Sequence, residues 1–467
     1  MAHLSETKFW IEEQLPALLA EHHVPAAAVA VYAGGEVIDY ATGVLSMATR
    51  VEATADSLFQ IGSITKLWTS TLVMQLVDEG MVELDEPLRR YLPDFVLADE
   101  AAAAAITVRQ LLCHTAGFEG DIFTDTGPGD DCIQRYVATL GDVPQLFTPG
   151  QMFSYNNAGF CVLGRLIELV RGKTYDACLR EYLFTPLGLT HAATGPYEAI
   201  LHRAAVGHIQ LSPDADFGPA PVWALPRSNV SAGAMLAMRP RDLLAFAQMH
   251  MNSGAAEDGT SVLSPASVKA MQERQVAPPK LGLGVLGAAW GLGWEIFDWS
   301  GGPVIGHNGG SIGQSAYLRI VPDRDVAVAL LTNGGETRPV FEQAVGHILK
   351  ELAGVDVPRF PVPSADPAPV DASRYVGTYS SGLVDSVVTQ DTGGRVWIDK
   401  TPKGLALQMG MEPQRIEVVH MAGDTLIALE AEDGVHTPHA FVGNDGTGHA
   451  QFLHTGRASR RVAPERG

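Results

Sequence analysis

Basic residues are scarce in this chain of 467 residues: 32 Lys and Arg stand against 53 Asp and Glu, a formal charge of −21. Such a surface repels phosphate backbones and anionic lipid, and no local Lys/Arg cluster reverses it, so neither a nucleic acid nor a membrane is expected as partner. Cysteine is scarcer. Cys113, Cys132, Cys161 and Cys178 form no C-x-x-C pair and have no His ligands at metal spacing, which argues against a zinc site or a disulfide scaffold. No metal and no cofactor is expected. Long apolar runs are missing as well, since residues 25–33, the most apolar early stretch, reach about half the length that spans a bilayer. The first 23 residues interleave Glu6, Lys8, Glu12, Glu13 and Glu21 with apolar positions and lack the basic start and apolar stretch of a leader, which reads as an unexported, cytoplasmic protein. There is no G-x-S-x-G elbow of an ordinary α/β-hydrolase and no repeat at a solenoid or propeller period.

What is present is a folded composition, 46% hydrophobic and 18% charged, with 49 Gly and 29 Pro. At about 150 residues per domain the length predicts two to three domains. After an N-terminal helix, 27–32 and 36–41 read as strands joined by a Gly34-Gly35 turn. Leu67, Leu72 and Leu76 recur at helical spacing and predict a helix over 65–79, with further helices over 108–113, 159–171 and 241–251. Strands are predicted at 291–297, 303–307, 315–321 and 326–332, followed by a helix at 338–352. Early strands, central helices, late strands and a closing helix predict one α/β (α+β) domain, residues 1–355, whose sheet is assembled from both ends. Pro358, Pro361, Pro363, Pro367 and Pro369 make 356–371 a stiff linker. Beyond it, short alternating runs at 377–379, 395–399, 405–409, 415–420, 425–429, 439–442 and 451–454 predict a small all-β barrel over 372–467, with Arg457, Arg460, Arg461 and Arg466 in its tail.

Three segments can carry chemistry. In 59–66, a Ser-x-x-Lys opens the predicted helix, so Ser63 and Lys66 project from one face about a turn apart. A serine hydroxyl is a weak nucleophile until a base takes its proton, and a desolvated lysine has its pKa lowered enough to be that base. The plainer reading is a helix start with a solvated lysine. In 153–157, a Tyr-x-Asn precedes a helix: a phenol near a lysine can relay a proton, and an amide can hold the lysine and a substrate carbonyl. Otherwise Asn157 caps the helix and Tyr155 is a surface aromatic. In Gly306-His307-Asn308-Gly309-Gly310, the glycines permit close approach, so the strand edge can offer an N–H to a developing oxyanion while His307 faces the same cleft. A lone strand-end histidine is otherwise polar surface.

In this order, Ser-x-x-Lys, Tyr-x-Asn and polar-x-Gly resemble the serine β-lactamase and penicillin-binding-protein superfamily, especially its class C-like branch, over about residues 10–350. The resemblance implies an antiparallel sheet flanked by helices, with a helical subdomain. It implies Ser63 as the acylated nucleophile, Lys66 as its base partner, Tyr155 as general base or relay, and Asn157 positioning Lys66 and the substrate amide. It further implies an oxyanion hole from the N–H groups of Ser63 and Gly310, with His307 among the catalytic residues and Asn308 and Gly309 as substrate-binding residues. Proton transfers are assigned to the Lys66–Tyr155 pair and to neither residue alone.

The third motif departs from the superfamily's usual Lys-Thr-Gly or Lys-Ser-Gly, because His307 puts a mostly neutral imidazole where a cation binds the β-lactam carboxylate. His-x-Gly is similar to D-aminopeptidase-like and esterase-like relatives. It also resembles the penicillin-binding-protein-type thioesterases, stand-alone enzymes that release and cyclise nonribosomal peptides and append a small lipocalin-like β-domain. The first expectation is therefore that Ser63 attacks the C-terminal thioester of a linear peptide, presented as a small-molecule thioester or by a peptidyl carrier protein, and that the peptide's own amine closes a macrolactam. Arg457, from the barrel, is the candidate to bind a peptide carboxylate or carbonyl. The alternative is a D-stereospecific aminopeptidase or carboxylesterase, since water and an amine attack the same acyl-enzyme. A non-catalytic ligand-binding relative is a third reading. The G-x-G-x-x-G at 282–287 lacks a preceding strand and reads as a pocket-edge loop, and His114 reads as structural.

Overall fold

Every residue of Ala26–Ala33 is apolar and nearly all are buried, the pattern of a strand covered on both faces. The computed structural model, which describes residues 2–210, 215–282, 284–408, 410–432 and 434–462, places this strand inside a seven-stranded sheet. Its strands are Ala26–Ala33 (β1), Glu36–Gly43 (β2), Ala289–Trp290 (β3), Glu295–Trp299 (β4), Gly302–Ser311 (β5), Gln314–Val321 (β6) and Val326–Thr332 (β7). The order is β2-β1-β7-β6-β5-β4-β3. Strand β1 runs antiparallel to β7 from Ala27↔Thr332 to Ala33↔Val326, so the sheet is closed by segments from both ends of the domain.

The longer helices are Ala2–Glu21 (α1), Thr65–Asp78 (α2), Asn157–Arg171 (α3), Pro240–Met251 (α4) and Thr337–Ala353 (α5). The alternation of β1 divides two cores: Val29 and Val31 pack with Leu15 of α1 and Ile348 of α5, while Ala28 and Ala30 face Trp68 of α2 and Phe246 of α4. Alanine on that second face lets helices approach the sheet closely. Helix α3 starts where the Asn156 side chain accepts the Gly159 N–H and ends at Gly172 with φ 65°. The cap is thus Asn156, which leaves the Asn157 amide for other work.

Past the proline-rich stretch, Gly377–Ser380 (β8), Val384–Gln390 (β9), Val396–Pro402 (β10), Gln414–Ala422 (β11), Thr425–Ala428 (β12), Pro438–Val442 (β13), Phe452–His454 (β14) and Ala458–Val462 (β15) form a closed antiparallel barrel. It is filled by Tyr379, Ile398, Leu426 and Phe441.

Several local expectations are corrected. Of the strand expected at 291–297, residues 291–294 are instead the turn between β3 and β4, because the chain bends at Gly293, φ 95°, where a Cβ would lie 2.4 Å from Ser70 Oγ. The strand expected at 405–409 is a helix, Gly404–Gln408, with Met409 outside the described residues. Strands β9 and β15 were not anticipated. The arginine tail is in part the closing strand: Arg461 donates to the Tyr379 hydroxyl at 2.9 Å and Arg460 pairs with Ser380, while Arg466 lies outside the described residues. Among the described residues no helix is long and apolar enough to cross a membrane.

Candidate active site

The nucleophile candidate sits on a turn forced against the sheet. Gly62 has φ 50°, and a Cβ there would meet the Gly310 backbone at 2.5–2.8 Å. From the other side, a Cβ on Gly309 would stand 1.9 Å from the Ile61 carbonyl oxygen. Only glycine lets the end of β5 and the Ser63 turn come this close. Gly309 is therefore a spacer. Gly310, whose Cβ direction is open, lines a chamber of about 240 Å³ together with Ser63, Asn157 and Arg457. A larger groove of about 1240 Å³ between the catalytic domain and the barrel also reaches Gly310, with Val285 of the glycine-rich loop on its wall.

Lys66, in the first turn of α2, is completely buried. Its Nζ lies 3.1 Å from Ser63 Oγ, 2.7 Å from Asn157 Oδ1 and 2.5 Å from the Ala232 carbonyl oxygen. Burial pulls its pKa down from 10.5 to about 7, against a raising influence of Cys161 and with Arg457 lowering and Asp121 raising it. A neutral amine is thus well populated near neutral pH, and it can accept the Ser63 proton. The reading of a solvated lysine is excluded.

Tyr155 is half-buried in the cleft rather than a surface aromatic. Its ring stacks on His114 at 4.3 Å, and the Lys66 amine lies 4.8 Å from its centroid. Burial raises its pKa above 10.0, with Ser63 and Arg457 acting in the opposite direction, so the resting group is the phenol. His114 has φ 59°, and its Nδ1 accepts the Asn156 N–H at 2.9 Å. Its role is to wedge the Tyr155 ring in place.

His307 packs against Tyr155 and Trp290 and is 3% exposed. Its Nδ1 donates to the Asn308 carbonyl at 2.5 Å, and burial, with the Lys66 charge, lowers its pKa to about 3. It is a neutral imidazole, no substitute for a carboxylate-binding cation. The Asn308 side chain points to the opposite face, where its Oδ1 accepts from Arg319 at 2.8 Å, so its amide is not presented to the cleft. Arg457 does reach the cleft from the barrel. Its Nε is ion-paired with Asp121 and its guanidinium lies 4.9 Å from the Tyr155 ring centroid.

Three contributors were not anticipated. Asp121 accepts from Asn157 Nδ2 at 2.7 Å, the Ala232 carbonyl holds Lys66, and the barrel hairpin β14–β15 grips the Tyr155 segment. There, His454 Nε2 donates to the Phe153 carbonyl at 2.8 Å, Tyr155 N–H to the Gly456 carbonyl at 3.1 Å, and Ala458 N–H to Ser154 Oγ at 3.1 Å. A lone aspartate in a loop and a backbone carbonyl leave no pattern in a sequence.

The family model described as Beta-lactamase matches residues 11–352. The chain is 45% identical over 370 residues to penicillin-binding protein 4 of Amycolatopsis lactamdurans, covering 79% of this chain and 96% of that protein. The crystal structure of SurE superimposes with a TM-score of 0.78 at 30% identity, over 98% of this chain and 100% of that one, the barrel included. D-amino acid amidase from Ochrobactrum anthropi is similar over 71% of this chain and 92% of its own, with a TM-score of 0.59 at 25% identity. The chain therefore belongs to the β-lactamase and penicillin-binding-protein family of serine hydrolases, extended here by an eight-stranded barrel.

Proposed function

We propose that the protein is a stand-alone peptidyl thioesterase that acylates Ser63 with a nonribosomal peptide and cyclises it. The observation that carries this reading is the buried Lys66 amine, with a pKa near 7, 3.1 Å from Ser63 Oγ. The neutral amine takes the Ser63 proton as Oγ adds to the thioester carbonyl. The oxyanion is received by the N–H groups of Ser63 and Gly310. Collapse expels the thiolate, which is protonated from the Lys66–Tyr155 pair. The peptide's own amine then adds to the ester, gives its proton to the same pair, and releases the lactam as Ser63 is reprotonated.

Cyclisation is supported by space on both sides of Gly310: a small chamber at Ser63 and a groove large enough for a folded-back peptide. An amine held there competes with water through effective concentration. The neutral His307 speaks against β-lactam substrates. Whole-length similarity to SurE, also solved with D-Leu, supports a peptide whose acyl residue is D-configured. The peptide would arrive as a small-molecule thioester or on a peptidyl carrier protein. Similarity to D-amino acid amidase favours a second reading, a D-stereospecific amidase or peptidase, or a related carboxylesterase, in which water resolves the same ester. Product analysis with a linear peptidyl thioester bearing a C-terminal D-residue and a free N-terminus separates them. Cyclic product supports the cyclase, and linear acid alone supports the hydrolase.

A further inference from the structure

We propose that Asp121 and Arg457 form a positioning pair through which the C-terminal barrel sets the working state of the Lys66 amine. The inference rests on the reading that Lys66 acts as base for Ser63. The Asn157 amide lies between two polar groups of opposite demand. Its Oδ1 accepts from Lys66 Nζ at 2.7 Å and its Nδ2 donates to Asp121 Oδ1 at 2.7 Å. Reversing the amide would set donor against donor and oxygen against carboxylate, so Asp121 locks the orientation that serves Lys66. The other Asp121 oxygen is bound to Arg457 Nε, and Asp121 is 7% exposed. Arg457 stands in the β14–β15 hairpin that also binds the Tyr155 segment. The barrel is thus joined to the Lys66 amine through three side chains, Arg457, Asp121 and Asn157.

Electrostatics gives the pair its consequence. The groups facing Lys66 are Ser63 on its own turn, Tyr155 and His114, Cys161 on α3, His307 on β5, and Asp121 with Arg457. Burial keeps the two histidines neutral and the phenol and thiol protonated. Among the described residues, Asp121 and Arg457 are then the formal charges acting on the amine, and they act in opposite senses. Glu119 adds a further negative influence on Arg457. With both present the two charges oppose one another, and burial is the largest influence. Without Arg457, a bare buried carboxylate favours the ammonium. Without the Asp121 charge, the guanidinium disfavours it.

The test is the acid limb of the kcat/KM–pH profile of the full chain on a p-nitrophenyl ester. Arg457→Gln moves the limb to higher pH and Asp121→Asn to lower pH, each on the order of one pH unit. The double variant returns it towards the parent value, and Arg457→Lys keeps it there. If Arg457→Gln does not fold, the direction of the Asp121→Asn shift decides alone. An arginine that only binds substrate raises KM at every pH and leaves the limb in place, which would overturn the proposal. Fluorophosphonate labelling of Ser63 is run on the same samples. Labelled protein with an unmoved limb overturns the pair alone, whereas no labelling of the parent protein overturns the acyl-enzyme reading itself.

Discussion

His454, at the end of a barrel strand, donates a 2.8 Å hydrogen bond from Nε2 to the carbonyl of Phe153, two residues before Tyr155. Its Nδ1 accepts the Gly456 N–H at 3.0 Å, which fixes the tautomer. Burial lowers its pKa to about 4, so the contact stays neutral through the working pH range. The barrel is therefore a structural component of the catalytic cleft.

Replacing His454 by Ala leaves the Phe153 carbonyl buried and unpaired, at a cost of about 1–3 kcal/mol. The expected result is a thermal midpoint lowered by several degrees, together with reduced kcat, read by calorimetry and by ester turnover. An unchanged kcat would show that the Tyr155 segment keeps its place without the barrel contact.

The pH dependence follows from the Lys66 shift. A base whose pKa is lowered to about 7 is protonated and inactive below that value, so kcat/KM rises with pH through about 7 and then levels. A limb near 10 would contradict a buried amine as base. Ser63→Ala and Lys66→Ala each remove turnover by roughly 10⁴-fold or more, measured with the same ester.

Much of this was legible in the sequence, and the limits have physical causes. The sheet closed from both ends and the two-part architecture follow from alternation and turn signals, whereas the gathering of Ser63, Lys66, Tyr155 and Asn157 is what the family resemblance of their three ordered motifs implies. Asn157 and Asn156 are indistinguishable as caps until the helix start is known, and Asn308 reads as a cleft residue only until the strand parity turns it to Arg319. Strand β9 hides because Val384, Ser386 and Val388 alternate too weakly, and the 405–409 run is short enough to fit helix or strand. The Asp121–Arg457 contact joins segments distant in the chain, so only the fold reveals it.

The two glycines at the end of β5 have opposite tolerances. Gly309→Ala drives a Cβ into the Ile61 carbonyl and is expected to cost about 1–3 kcal/mol and most of the activity. Gly310→Ala projects into open space and is expected to fold normally, with its effect confined to substrate selection. Thermal melts and ester kinetics of the two variants check the contrast.

His307 supplies no cation, so nitrocefin turnover is expected to be negligible beside that of an activated ester. His307→Ala is expected to lower kcat by up to about 100-fold through loosened packing on Tyr155, with the fold intact by circular dichroism. Efficient nitrocefin hydrolysis by the parent protein would contradict the neutral-imidazole account.

The most direct test is rapid-quench intact mass spectrometry with a peptidyl thioester whose C-terminal residue is D-configured, with its amine either free or acetylated. The account predicts an acyl adduct on Ser63 that accumulates when the amine is capped and gives way to cyclic peptide when it is free. Absence of any Ser63 adduct while product still forms would contradict it.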